Sequence, residues 1–282
     1  MLRRLEGVNK VENLNFNDCI QICFSPSDIH LGDVLFWLPT LVMIRKQGVD
    51  QSIDWGEKSI LISQEMDHYL NAPYISGEDK TPNSIGFANS LSRQTHNVWF
   101  SPFDLDLKDS IAQSIFLLFA NHIERLGKPV VSFQDCIEKV KQPGFFNTAP
   151  SPELEEMAYG ASVVCLDAVA RQNLARPKRD KILQSISHQH DHKFLFIGTT
   201  PIGTLPENCI NAICRFSLPE LMSLPRYGAK NFIGFDNFWA HYFSLHNISC
   251  EITFRGAYSQ KSHQFHLQYC IDAFKDNDDN PL

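Results

Sequence analysis

The sequence predicts an α/β protein of two units, each built on a parallel sheet. Three observations carry this. Short apolar runs of strand length alternate with segments of helical period along most of the chain. A proline-bearing stretch with little periodicity, Gln142 to Pro152 (QPGFFNTAPSP), falls near the middle and reads as a linker. Two strand–turn–helix passages, one in each half, have the form of the ligand-facing edge of an open α/β sheet. The expected units are residues 1–145 and 153–275, with an acidic, disordered tail over 276–282.

In order along the chain, the first 18 residues are polar and weakly patterned, an arm or a leader strand. Strands are expected at Ile20–Phe24, Ser59–Ser63, Val98–Ser101 and Val130–Phe133. Helices are expected at Val34–Gln47, Gln64–Leu70 and Leu107–Leu126. The last of these carries Ile111, Ile115, Leu118, His122 and Leu126 on one side, and Gly127-Lys128-Pro129 stops it. Gly77 to Arg93 is rich in Ser, Asn and Gly and reads as a long loop. The second half offers a strand at Ser162–Leu166, a helix at Lys178–His188 and a strand at Lys193–Ile197. Strands follow at Phe232–Phe235 and from Cys250, then a last helix at Ser262–Lys275.

Composition narrows the function. Of 282 residues, 43% are hydrophobic and 20% charged, which is the profile of an ordinary globular protein. A formal charge of −7 argues against broad nucleic-acid binding, although a local basic pocket for a nucleotide diphosphate stays compatible with it. The eight cysteines include no CxxC pair and no zinc-ligand spacing. Met1-Leu2-Arg3-Arg4 leads into polar sequence rather than an apolar secretory stretch, so reduced thiols in the cytoplasm are expected. No run approaches the ~20 apolar residues of a membrane span. The GxGxxG, GxSxG and Walker patterns are absent. The run His188-Gln189-His190-Asp191-His192 has spacing that a surface metal could use, but no further ligand motif completes a site, and polar residues are expected at a helix end.

The first strand–turn–helix passage is Ser27 to Leu41 (SDIHLGDVLFWLPTL), after the apolar run IQICF. Gly32 permits a tight turn. Asp33 then falls at the first turn of the helix, where a carboxylate serves either as a cap or as a base. The second passage is Lys230 to Ser244 (KNFIGFDNFWAHYFS), with Asp236 as its turn residue and a helix from Phe238. Asp236 can cap that helix or meet a ligand hydroxyl. The helix tip itself, with amides near Asn237 to Ala240, is suited to phosphate. His241, one turn in, is either a phosphate donor or a packing residue.

Gly32-Asp33-Val34 followed by Pro39 and Leu41 resembles the N-terminal motif of the ADP-heptose:lipopolysaccharide heptosyltransferase family. Gly234, Asp236 and His241 fall on matching positions of that family's second motif. Ser217-Leu218-Pro219-Glu220-Leu221 is similar to its Ser-Leu-x-Glu-Leu helix start, and CEITFRG from Cys250 to its closing strand and turn. The resemblance covers most of the chain in order and spacing. It departs at Asn237-Phe238-Trp239, where the family has Ser-Gly-Pro, and in the loop after Asp167, which has Arg171, Arg176, Lys178 and Arg179 but no Lys-x-Trp.

The resemblance implies a GT-B fold, two Rossmann-like domains with parallel sheets facing a central cleft. It implies a metal-independent, inverting glycosyltransferase that needs no cofactor beyond its nucleotide-diphosphate sugar donor. Asp33 would be the catalytic base, with Gly32 and His30 on the acceptor side. Arg171, Lys178, Asp236, Asn237, Phe238 and His241 would bind the donor, and Arg255 is a further basic candidate. The acceptor would be a saccharide of a bacterial glycan or its lipid-linked precursor, bringing peripheral contact with the inner membrane face. The bulky Phe238 and Trp239 also suit a catalytically inactive nucleotide-sugar-binding or scaffold protein. A related enzyme that hydrolyses or epimerises the donor without an acceptor is a third reading.

Overall fold

The computed structural model describes residues 14–16, 20–24, 31–48, 51–54, 84–87, 98–100, 111–142, 144–146, 148–167, 172–253 and 270–271. The chain divides into two compact units, Met1–Asn147 and Thr148–Leu282.

The first unit holds four parallel strands: β1 (Ile20–Phe24), β2 (Gln51–Asp54), β3 (Ser84–Phe87) and β4 (Val98–Phe100), in the order β2-β1-β3-β4. The strand order reverses between β1 and β3, so their carboxyl ends flank a switch point. The helix that leaves β1 is α1 (Leu31–Lys46). Every residue from Val34 to Ile44 is buried, because the segment is apolar around its whole circumference rather than along one stripe. It packs against α2 (Ile111–Arg125) and α3 (Phe133–Lys141). Trp37 meets Phe119 of α2 edge to face, at 6.0 Å between ring centroids.

Several expectations change here. Gln51–Asp54 is a strand although it reads as polar; it lies on the outer edge of the sheet, where one side needs no apolar partner. Ser84–Phe87 is a strand inside the segment read as a loop, because pairing to β1 and β4 on both sides outweighs its polar flanks. Val130–Phe133 is not a strand. Ser132 caps α3 by accepting from the Asp135 amide at 3.0 Å, and Cys136, Ile137 and Val140 are buried at helical spacing. Of the expected face of α2, Ile115 and His122 are buried, together with Ala112, Phe116, Phe119, Ala120 and Ile123, while Leu118 is half-buried and Leu126 49% exposed. Gly127 ends α2 at φ +73, with the Lys128 amide bonded back to Ile123. The polar start of the chain also contributes to the core: Leu14 and Phe16 are buried, and Lys128 donates to the Phe16 carbonyl at 3.1 Å. The expected strand at 59–63 and helix at 64–70 lie outside the described residues.

The second unit opens with α4 (Pro152–Ala158), capped by Ser151. Its strands are β5 (Ser162–Cys165), β6 (Phe194–Phe196), β7 (Cys209–Asn211), β8 (Asn231–Phe235), β9 (Cys250–Thr253) and β10 (Cys270–Ile271), all parallel. Their order is β7-β6-β5-β8-β9-β10. Counted from β5 that is 3-2-1-4-5-6, the dinucleotide-binding order, with its switch point between β5 and β8. Helix α5 (Gln172–Ser187) follows β5. It starts before Lys178 and runs through Pro177, so the basic segment after Asp167 is largely helical rather than loop. Ile182 and Ile186 join Val164, Phe194, Phe196, Ile233 and Phe235 in one apolar core. On the other side of β8, Phe232 stacks on Phe243 of α7 (Phe238–Leu245) at 5.1 Å. The short α6 (Leu218–Leu221) is held by a capping box between Ser217 and Glu220, which lowers the Glu220 pKa. Cys270–Ile271 pairs with β9, so the final helix expected over 262–275 gives way there to an edge strand. Residues 276–282 lie outside the described residues.

Candidate functional site

The best-defined site lies in the second unit at the carboxyl ends of β5, β6 and β8, where ligands of such sheets bind. Three features join these ends. The first is Gly234 in β8, which faces β5. A Cβ built there would land on the Cys165 carbonyl oxygen and lie 3.0 Å from Phe232 Cζ, so only glycine fits.

The second is Asp167, two residues beyond β5. Its carboxylate accepts from the Thr199 amide at 2.7 Å, the Thr199 hydroxyl at 3.1 Å and the Thr200 amide at 3.1 Å. It thereby fixes the loop that leaves β6. Gly198 makes the approach possible: its φ is +131, and an added Cβ would lie 2.7 Å from Asp167 Oδ2. Hydrogen bonds to a charged group are worth about 1.5–3 kcal/mol each, so Asp167→Asn is expected to destabilise the unit by about 2 kcal/mol. Amide exchange at Thr199 and Thr200 should accelerate in that variant. Wild-type exchange at both would remove Asp167 from this role.

The third is Asn237, the residue that caps α7. Its Oδ1 accepts from the Trp239 amide at 3.0 Å and the Ala240 amide at 3.2 Å. Its Nδ2 donates to the Asp167 carbonyl at 3.2 Å and approaches Cys165 Sγ at 3.6 Å. One carboxamide thus caps a helix and ties β8 to β5. Burial pushes the Cys165 thiol up to about 12, so it is no nucleophile at neutral pH.

This geometry revises the sequence reading of the helix tip. The cap is Asn237, not Asp236. Asp236 is the half-buried centre of a tight turn in which the Asn237 amide bonds the Phe235 carbonyl at 2.9 Å. The amides of Trp239 and Ala240, expected to face phosphate, are held by the chain's own carboxamide. Trp239 is buried in an aromatic cluster with Tyr242 and Phe243, so it does not line a crevice. Phe238 is half-buried and stacks on Tyr242 at 5.7 Å. His241 is 9% exposed inside α7.

Lys178 is half-buried in the second turn of α5. Beside it, Arg179 donates from Nη2 to the Leu166 carbonyl at 3.5 Å, at the end of β5. Its Nε is buried with no hydrogen-bond partner. An orphaned donor of this kind costs about 1–3 kcal/mol and calls for an explanation. Arg179 and Lys178 precede the buried Ile182 by three and four residues, so both fall on the helix face that leads to the core. Arg171, His30 and Arg255 lie outside the described residues.

In the first unit, Gly32 is buried and Asp33 is the third residue of α1, in the first turn of the helix after β1. In the histidine run, His188 Nδ1 pairs with the Gln184 carbonyl and His192 Nε2 with Lys230 Nζ, each at 2.7 Å. Among the described residues, no group of three or more His, Cys, Asp or Glu side chains could hold a metal ion. Nor, among them, is any helix long and apolar enough to cross a membrane.

Two α/β units with parallel sheets, the second in the order 3-2-1-4-5-6 with a built switch point, define an open-sheet α/β class of fold. No protein-family model matches the sequence, and no curated protein matches it. Solved structures do match. E. coli heptosyltransferase WaaC with ADP is 11% identical, with a TM-score of 0.54 over 90% of this chain and 92% of its own. A family 9 glycosyltransferase from Veillonella parvula is 14% identical, with a TM-score of 0.52 over 92% and 87%. The iron-containing dodecameric glycosyltransferase TibC of enterotoxigenic E. coli is 11% identical, with a TM-score of 0.51, and this chain spans 63% of its length. The fold is that of these glycosyltransferases.

Proposed function

We propose that this protein is a heptosyltransferase-like glycosyltransferase that moves a sugar from a nucleotide-diphosphate donor to a hydroxyl acceptor. The observation that supports it is the switch-point site of the second unit, in a chain whose fold matches glycosyltransferases along about nine-tenths of its length. The second unit is the donor side in this reading, and the ADP in the WaaC structure is the type of leaving group intended. Asp33 is the general base. It takes the acceptor hydroxyl proton as the oxygen attacks the anomeric carbon, and a single displacement inverts that centre. No metal is assigned a step. The GT-B arrangement, a bacterial glycan or lipid-linked acceptor, and peripheral membrane contact belong to the same reading.

One observation favours a second reading, a nucleotide-sugar-binding protein without turnover. The tip of α7 is closed by Asn237 and followed by Phe238 and Trp239, where the resembling family has small residues. A thermal-shift screen against ADP-, UDP-, GDP- and CMP-sugars tests both. Transfer predicts stabilisation by one donor class and release of its nucleoside diphosphate with acceptor. Binding alone predicts the stabilisation without release. Release in buffer alone would point to donor hydrolysis or epimerisation. No stabilisation by any donor would end all of these readings.

A further inference from the structure

We propose that the turn joining α2 to α3, together with the last turn of α1, forms a docking surface for an anionic membrane. It deepens one part of the reading above, the peripheral membrane contact, and rests on that reading for the presence of a membrane beside the reaction.

The surface is built where two helices of the first unit end side by side. Helix α1 packs against α2 and α3. The Gln47 side chain, one residue past α1, donates to the Pro129 carbonyl at 2.6 Å and seats the end of α1 against the turn. The turn is itself fixed. The Gly127 amide bonds the Glu124 carbonyl at 2.9 Å and the Lys128 amide bonds the Ile123 carbonyl at 3.3 Å. The Lys128 ammonium donates to the Phe16 carbonyl at 3.1 Å. A surface formed in advance has little ordering entropy to lose on docking.

Its composition names the partner. Arg45 and Lys46 close α1, and Arg125 and Lys128 bracket the end of α2. Basic residues suit the negative end of a helix, but that end amounts to only about half a charge per helix, so four cations at two ends exceed what the dipoles call for. Glu124 and Asp135 are the acidic residues of the adjoining turns, which leaves the surface positive on a chain of formal charge −7.

Among these cations stands Leu126, 49% exposed and one of three large apolar side chains exposed among the described residues. Pro129 beside it is exposed, and Val130 and Val131 are half-buried. A free phosphate or other soluble anion would engage the cations and leave Leu126 in water. A lipid surface takes both: headgroups meet the cations and the leucine enters the boundary beneath them. The same helix links this surface to the reaction. Thirteen residues separate Asp33 from Lys46 along α1. At the helical rise that is about 20 Å at most, the reach of a short saccharide anchored in the membrane.

Each cation near an anionic membrane strengthens binding by about fivefold, and the exposed part of Leu126 adds a similar factor. The whole surface then gives a partition coefficient on the order of 10³ M⁻¹, a reversible contact. The test is co-sedimentation of the full chain, at millimolar lipid, with vesicles of phosphatidylcholine alone and of an equimolar mixture with phosphatidylglycerol. Binding to the mixed vesicles only is expected, weakening as salt is raised. Lys46→Gln should lower the partition by about fivefold, Lys46→Arg should retain it, and Leu126→Ser should lower it by about fivefold. Both side chains are exposed, so the variants should melt with the wild type. Undiminished binding by Lys46→Gln and Leu126→Ser, or equal binding to the two kinds of vesicle, would overturn the proposal and leave the glycosyltransferase reading intact. No binding to either would overturn it together with the peripheral contact, while the donor screen still decides sugar transfer. Binding lost in the two variants, in a protein that no nucleotide sugar stabilises, would uphold the surface and end the transferase reading.

Discussion

Gly234→Ala is expected to be the most destabilising single-methyl change in the second unit. The new Cβ would meet the Cys165 backbone carbonyl, which is fixed by the ladder between β5 and β8. Neither strand can retreat without opening hydrogen bonds in the middle of a six-stranded sheet. The Phe232 ring, 3.0 Å from the same point, is held in its stack with Phe243. Overpacking a rigid core costs about 1–3 kcal/mol and occasionally more, and this contact belongs at or above the upper limit. Urea unfolding of the wild type and variant measures it. A midpoint within error of wild type would mean that β5 and β8 are not so closely apposed. The same contact gives the glycine a packing reason independent of any family resemblance.

Asp33→Asn is the second. Under the proposed reaction it should lower turnover by about 10²–10⁴-fold, the usual contribution of a general base. Donor affinity should hardly change, because the donor is assigned to the second unit. The substitution also separates the two roles that the sequence leaves open. Asp33 is the third residue of α1, inside the first turn rather than at its cap. A carboxylate there interacts with the helix dipole for about 0.3–1 kcal/mol, and Asn forfeits only that. A stability loss of that size with full turnover would make Asp33 a helix-start residue. A large loss of turnover with little change in stability would make it the base.

The elements most legible in the sequence are those whose signals are contiguous. The run IQICF became β1 and the segment after Gly32 became α1, because an apolar strand followed by an apolar helix needs no distant partner to be recognised. Gly127 stopped α2, since a left-handed residue at a helix end is a local requirement. The strand–turn–helix at Asn231–Leu245 was equally local. The shortest strands were not. β2, β3 and β10 have two to four residues each, and what makes them strands is the neighbour they pair with.

The candidate site divides along the same line. Its location, at the turns after β5 and β8, followed from the order of residues along the chain. Its chemistry did not. Asp167 meets Thr199 across 32 residues and Asn237 meets Asp167 across 70. Those bonds decide which backbone amides are occupied. By itself the sequence determined where the strand ends and the helix begins around the turn after β8, because capping, glycine conformation and apolar period act over a few neighbouring residues. Only the tertiary structure decided that Asn237 closes the helix tip and that Arg179 stands at the end of β5, because hydrogen-bond partners distant in sequence are chosen by the sheet that brings them together.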